Sequence, residues 1–448
     1  MGTFDGLNIG LSALYAQRRA IEVAGQNIAN VNTEGYSRQR SEMVAESGPV
    51  VPALFSRYEG TGLGVRSVEV ERMRDQFLEA RAHREHGADA YLGQVQVTMD
   101  RIELAYAEPS DTGLASQLAD FWAGWDDVGL SPTDPAARSQ LLERATTLTS
   151  TFQQLDQALA DLGAASVEQL TAAIQEVNAI AGRIADLNGN IRSATAAGLN
   201  ANDLIDQRDL LAMQLAEHVG ATVRPGEGGS LDVYVGGMAL VRSTSVEQLT
   251  VEVGAGPAFA ARVAWVDDGL TATVGGRAQG LLETNNDIVP AQRAELLAVA
   301  QRVHDDVNAI HVTGFDQSGA AGVPFFQMGP TGITVNPLVA GDPTRIAASS
   351  SPGAIDGSVA QQLAAQDGPD GLYREMVVRL GVAAQTTNRR VEVQDAIVQQ
   401  LDAARESEAG VNIDEEMTNL VSFQHAYSAA ARFVTVVDDL LETLIGMV

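Results

Sequence analysis

The chain is predicted to be mainly α with an inserted β domain, on three observations. Apolar residues recur at heptad spacing at both ends of its 448 residues. Capped, helix-like stretches fill most of the interior. One segment, residues 219–277, switches to period two and is rich in Gly and Val. Terminal N and C helices forming an α-helical coiled coil, a discontinuous helical body and a β insert follow from that order. The expected division is 1–36 with 411–448 as the terminal coiled-coil domain. Residues 37–218 with 278–410 form the helical body, and 219–277 form the inserted β-rich domain.

The first stripe is Leu7, Leu11, Leu14, Ile21 and Ile28. The second is Ile413, Met417, Leu420, Tyr427, Val434, Leu441 and Val448, widened by Phe423, Val437 and Leu444. Each stripe puts an apolar seam on one helix. A chain that starts and stops with such helices is built to join its own ends, or its neighbours' ends, into a bundle.

The first helix is expected over residues 3–31, weakened at Gly25 by about 1 kcal/mol relative to Ala, and stopped at Gly35. Residues 36–71 look extended and irregular, with a turn at Gly60, Gly62 and Gly64 before a strand over 65–70. A long helix over 75–107 is broken by Pro109. A short helix over 114–128 carries Phe121, Trp122 and Trp125, rings expected to anchor the body. Asp134 and Pro135 open a helix to about residue 162. Ser166, with Gln169 three residues on, is a capping box that predicts a new helix to 197, and 202–218 makes another. Strands are expected over 231–235, 246–253, 261–266 and 271–274, with turns at Gly236-Gly237 and Asp267-Asp268-Gly269. Helices return over 279–285 and 290–312; loop and strand fill 313–368; a helix spans 372–406. Asn412, with Glu415 three residues on, caps the last, which runs to 446.

The net charge is −29 and the pI near 4.4. Nucleic acid and anionic membrane surfaces are disfavoured as partners, because both need a basic face. Residues 1–36 carry a net −1, residues 411–448 a net −5, and the middle of the chain the remaining −23. The ends can approach while the body repels its like. No apolar run reaches the length of a membrane span, so no membrane insertion is expected. The Met1-Gly2 start has neither a signal-peptide pattern nor the Ser or Thr of a myristoylation site, so no cleaved leader is expected. There is no Cys, and none of the 29 basic residues is Lys. Thiolate catalysis, Cys-ligated metals, Schiff-base chemistry and a P-loop lysine are thereby removed.

Gly60, Gly62 and Gly64 lack the strand-before, helix-after setting of a dinucleotide loop. His83 and His86 share a helix face at i, i+3, which binds a metal only with further ligands. They read as a solvated charged face, as His304 and His311 read as surface residues. No Gly-x-Ser-x-Gly elbow occurs. No catalytic, cofactor or metal residues are assigned.

Asn27, Asn30, Asn32, Gly35, Tyr36, Ser37, Arg38 and Gln39 form a denser pattern than helix capping requires. This stretch closely resembles the N-terminal signature of the bacterial flagellar axial proteins, the rod, hook and hook-associated family. Its ending from Tyr36 to Gln39 is similar to the hook–filament junction branch. Gly62, Leu63 and Gly64 with Arg72, Asp75, Phe77 and Leu78 look like the family's next block. Asn202, Asp203, Asp206, Arg208 and Asp209 look like a further one, as do Gly314, Phe315 and Asp316 with Phe325 and Phe326. Asn412, Asp414, Glu415 and Glu416 through Asn419, Phe423, Gln424 and Tyr427 complete the resemblance. Larger members carry a globular insert after the Phe-Phe block; here Gln327, Met328, Gly329 and Pro330 run quickly on, so an outermost domain is expected to be missing.

The resemblance implies a structural, non-enzymatic part of the flagellum that couples hook to filament, with no cofactor. It implies copies of itself in a ring, hook protein and a second junction protein as neighbours, an export apparatus of the type III kind, and a cytosolic export chaperone. It places the protein outside the cell at the hook–filament junction. A hook or rod protein is the nearest rival, separated by residues 36–39 and by a mainly helical body. A metal-dependent enzyme using His83 and His86, or a secreted adhesin binding through 219–277, stand further off.

Overall fold

The computed structural model describes residues 3–46, 62–254, 260–330 and 332–447. In order come α1 (Thr3–Ala29), β1 (Gln39–Glu46), β2 (Gly64–Arg72), α2 (Gln76–Tyr106), α3 (Leu114–Leu130), α4 (Pro135–Ala196) and α5 (Asn202–Val219). The β-rich stretch follows with β3 (Thr222–Pro225), β4 (Leu231–Val235), β5 (Met238–Arg242), β6 (Ser245–Val246), β7 (Leu249–Val253) and β8 (Ala261–Trp265). Then come α6 (Gly276–Glu283), a π turn (Thr284–Ile288), α7 (Val289–His311), β9 (Phe326–Gly329) and β10 (Gly332–Val335). The chain finishes with α8 (Pro337–Ala340), α9 (Ser358–Ala364), α10 (Gly368–Ala409) and α11 (Ile413–Gly446). The mainly α class with small antiparallel sheets is as expected.

Two apolar cores share α4. Its first half contributes Leu141, Leu148, Phe152 and Leu159 to a helical core with α3, α7, α9 and α10. Its second half contributes Leu170, Ile174, Val177 and Ile184 to a core closed by α5, α6 and the strands. At 62 residues α4 is a beam about 90 Å long. The capping box expected at Ser166 does not start a helix. Ser166 is buried inside α4 and its hydroxyl donates to the Gly163 carbonyl at 2.7 Å. Buried side chains on both sides of the position hold the helix straight through, against a local signal worth about 1 kcal/mol.

Phe121, Trp122 and Trp125 are buried, as expected of anchors. Phe121 and Trp125 pack on Phe325, and Phe121 packs on Phe326, with ring centroids 5.1–6.2 Å apart. The Trp122 indole N–H donates to Asp370 at 2.6 Å.

Several elements differ from expectation. Residues 39–46, read as extended but irregular, pair with β2 in a regular antiparallel hairpin interrupted by one register shift. β3 and β5, unseen in the sequence, flank β4 in a four-stranded sheet. The run over 246–253 is two strands in different sheets, and Thr271 makes only a single bridge to Ala264. The helices around Pro290 join through the π turn, where the Val289 N–H bonds the Thr284 carbonyl five residues back, immediately before the proline that has no N–H to give. Residues 313–368 include the short helices α8 and α9. β9 and β10 form a hairpin. Gly60 and Val448, named in the sequence readings, lie outside the described residues.

The histidine readings also need correction. His83 is buried, and burial pushes its pKa below the ordinary value. His86 bridges Glu217 of α5 at 3.5 Å and Asp402 of α10 at 3.1 Å. His311 is fully buried beneath Trp125 and Phe325. Packed helices supply partners to His86, loop backbone groups supply them to His311, and His83 is simply covered, none of which a single helix read in isolation reveals.

Candidate assembly interface

α1 and α11 run antiparallel, Gly6 beside Val437, Gly10 beside Val434, and Asn27 beside Glu416. The face that α1 buries is made of small residues: Gly10, Ala16, Ala20 and Ala24, with Val23. The larger stripe read from the sequence lies to the side. Leu7, Leu14, Ile21 and Ile28 are half-buried and Leu11 is exposed. On α11, Val437 is buried; Leu420, Phe423, Val434 and Leu441 are half-buried; Ile413, Met417 and Tyr427 are exposed. The Leu444 side chain lies outside what is described. Tyr15 of α1 and Val421, Phe433, Val436 and Leu440 of α11 add further exposed apolar surface. The pair thus leaves much of its apolar area in water, which a lone coiled coil would not.

At the inner end of the pair the polar signature residues form one connected cluster. Asn27 is 1% exposed and fully bonded. Its amide nitrogen donates to the Gln39 carbonyl at 2.9 Å and to Glu416 at 3.0 Å. Its oxygen accepts from the Gln39 N–H and the Tyr36 hydroxyl, both at 2.9 Å. That uses all four bonding positions of an Asn side chain. Arg38 reaches Glu416 at 2.8 Å and Glu415 at 3.0 Å, and its N–H donates to the Ala409 carbonyl. Burial, with Asp203, Asp206 and Glu416 nearby, pushes the Tyr36 hydroxyl pKa up, so it stays a proton donor. Gly35 takes φ +76°, where a side chain would be strained.

The cluster continues into the body. The backbone N–H and hydroxyl of Ser37 both donate to Asp206, at 3.1 and 2.8 Å. Arg72 bridges Asp206 and Asp209, and Arg74 also reaches Asp209 at 2.9 Å. Burial pulls the Arg72 pKa down, but Asp209 and Asp206 outweigh it and the net shift is upward. Gln39 joins Asn202 and Asp203. Asn30 closes the turn by bonding the Gln26 carbonyl and Thr33, and Asn32 stands outside the cluster. Sequence blocks at 27–39, 202–209 and 415–416 therefore meet at one point. Reading the sequence picked out the blocks but not the pairing of Ser37 and Arg72 with Asp206, or of Asn27 and Arg38 with Glu416. Opposite charges far apart in a chain give no periodic signal.

Among the described residues, no three His, Cys, Asp or Glu side chains are grouped to hold a metal ion. No helix there is long and apolar enough to cross a membrane.

Comparison with known proteins agrees with this geometry. Residues 99–326 match the flagellar hook-associated protein FlgK helical domain. Residues 7–36 match the flagella basal body rod protein family, and residues 405–447 the flagellar basal body rod FlgEFG protein C-terminal family. Flagellar hook-associated protein 1 of Bacillus subtilis is 26% identical over 99% of this chain and 98% of its own. Its Escherichia coli counterpart is 28% identical over 75% of this chain, a match spanning 62% of that longer protein. The flagellar hook junction protein FlgK from Burkholderia pseudomallei superposes with a TM-score of 0.51 at 25% identity, covering 56% of this chain and 47% of that one. The chain belongs to the flagellar hook-associated protein FlgK family, structural components of the bacterial flagellum.

Proposed function

We propose that this chain is the hook–filament junction subunit of its flagellum, forming a ring that couples hook to filament and lets the filament assemble. The observation that carries this reading is the terminal pair. α1 and α11 are keyed together and to the body at one end by the polar cluster, yet leave apolar residues exposed along their length. Further copies of the chain are the natural cover for that surface. The pair then lines the inner tube, and the seam residues named above make the subunit contacts. Residues 1–36 with 411–448 act as the assembly domain, 37–218 with 278–410 as the wall, and 219–277 as the outward β unit.

In this reading the role is mechanical, and no bond is made or broken. The neighbours are hook protein on one side and a second junction protein on the other. The chain leaves the cell through the flagellar export apparatus, escorted by a cytosolic chaperone that holds α11, and works outside the cell. Terminal helices with a small shared core suit a chain that must travel unfolded and pair afterwards. Deleting the chain tests the reading: the strain is expected to shed its filament subunits into the medium, and normal filaments on such a strain would refute it.

A further inference from the structure

The contact between α1 and α11 does not fix its own alignment by packing. At the outer end a Cβ added to Gly6 would touch Val437, and one added to Gly10 would run into Val434 and Phe433. Further in, Ala20, Val23 and Ala24 line a cleft with Asn419 and Phe423. Sliding α11 by one turn, about 5.4 Å, would set Ala430 or Val437 against Gly10 in place of Val434. Small residues meet apolar ones in either register, so packing alone distinguishes them weakly.

One position breaks the pattern. Glu416, Phe423, Ala430 and Val437 follow one another at heptad spacing, and only Glu416 is charged. Its side chain is 4% exposed. The carboxylate accepts from Asn27 through one oxygen and from Arg38 through the other. The receiving groups are already fixed: Asn27 is held by Gln39 and Tyr36, and the Arg38 backbone is held between Ala409 and Met73. We propose that Asn27 and Arg38 with Glu416 are the register key of the terminal helix pair. In a slipped pairing the Glu416 carboxylate would leave both partners, while Asn27 and Arg38 would meet the aliphatic or amide side chains of Ile413 or Leu420 and their neighbours. A single polar residue at a core heptad position is an established way to select one alignment at some cost in stability. The key sits where the pair enters the body, so it also sets how far α11 projects beside α1.

The chain has no native Cys, which makes engineered pairs unambiguous. The full chain is equilibrated in a glutathione redox buffer as three double variants. Gly10→Cys with Val434→Cys reports the observed register; Gly10→Cys with Ala430→Cys or with Val437→Cys reports slippage. With Glu416 present, the 434 cross-link is expected to exceed each slipped one by about tenfold or more. Adding Glu416→Leu is expected to bring them within about threefold of one another, since it removes the penalty on slipped states. Adding Glu416→Gln, whose single amide oxygen can accept from Asn27 or Arg38 while its NH2 faces the other donor, is expected to give a partition between those of the Glu and Leu forms. Arg38→Gln shifts the partition toward slippage without touching α11, and serves if the Leu variant does not fold. An unchanged partition in both Glu416→Leu and Arg38→Gln overturns the proposal.

Discussion

His311 shows how completely the surroundings of a residue can override its type. Its Nδ1–H donates to the Val323 carbonyl at 2.6 Å, and its Nε2 accepts from the Ala347 N–H at 2.9 Å. Burial pushes its pKa down to about 4. The unfolded chain titrates near 6.5, so between those values it binds more protons than the folded one. Stability from this residue is complete above about pH 6.5 and is lost as pH falls toward 4, by about 3 kcal/mol over the window. His83, also lowered by burial, acts with the same sign. His86 opposes them: its bonds to Glu217 and Asp402 raise its pKa, so its contribution is present at low pH and lost as pH rises through the folded value. Ring chemical shifts of His311 should follow a midpoint near 4; a midpoint near 6.5 would mean that the ring is not sealed. Asp206→Asn keeps the shape but removes the charge that holds Ser37 and Arg72. It should cost about 2–3 kcal/mol in urea unfolding, whereas a loss under about 0.5 kcal/mol would place that part of the cluster outside the fold's stability.

Among the elements, helices were legible where their caps and apolar spacing agreed. Asn412 accepts from the N–H groups of Asp414 and Glu415, as its position suggested, and Asp134 caps α4 in the same way. The terminal stripes identified the two helices that pair, but not the small-residue face between them, because Gly and Ala carry no hydrophobic signal of their own. The sheet was only half legible. β4 alternates buried and half-buried residues, while β3 has only four positions with Arg and Pro among them, and β5 buries two adjacent residues rather than alternate ones. At the junction of α5 with α6 the chains pass within van der Waals contact. Gly276 has φ +57°, and a Cβ there would lie 2.2 Å from the Glu217 carbonyl oxygen. Gly198 has φ +69° but open space around it. Gly276→Ala should therefore cost more than about 3 kcal/mol, from backbone strain plus overlap, and Gly198→Ala only about 1–2 kcal/mol. Equal losses in urea unfolding would contradict the close approach.

For the whole molecule, a firm body carries a pair of helices whose shared core is thin. α4 ties the helical and β-containing cores into one unit, and the three converging sequence blocks fasten the terminal pair to it. The strong negative charge of the middle of the chain favours solvation of the body over random association, while the nearly neutral first helix is free to meet the apolar face of α11. The family was legible from the sequence because its polar signature lies in short contiguous runs. The reason for that signature was not, since it lies in contacts between runs up to 389 residues apart.

The most direct test of the account is amide hydrogen exchange on the free chain and on the chain assembled in isolated hook–filament junctions. In the free chain, residues 7–28 and 417–443 should exchange at least about a hundredfold faster than the buried turns of α3 and α4, because local opening there exposes little additional apolar surface. Assembly should slow them to the rate of the body. Protection of those two helices in the free chain equal to that of α4, unchanged on assembly, would contradict a terminal pair completed by its neighbours.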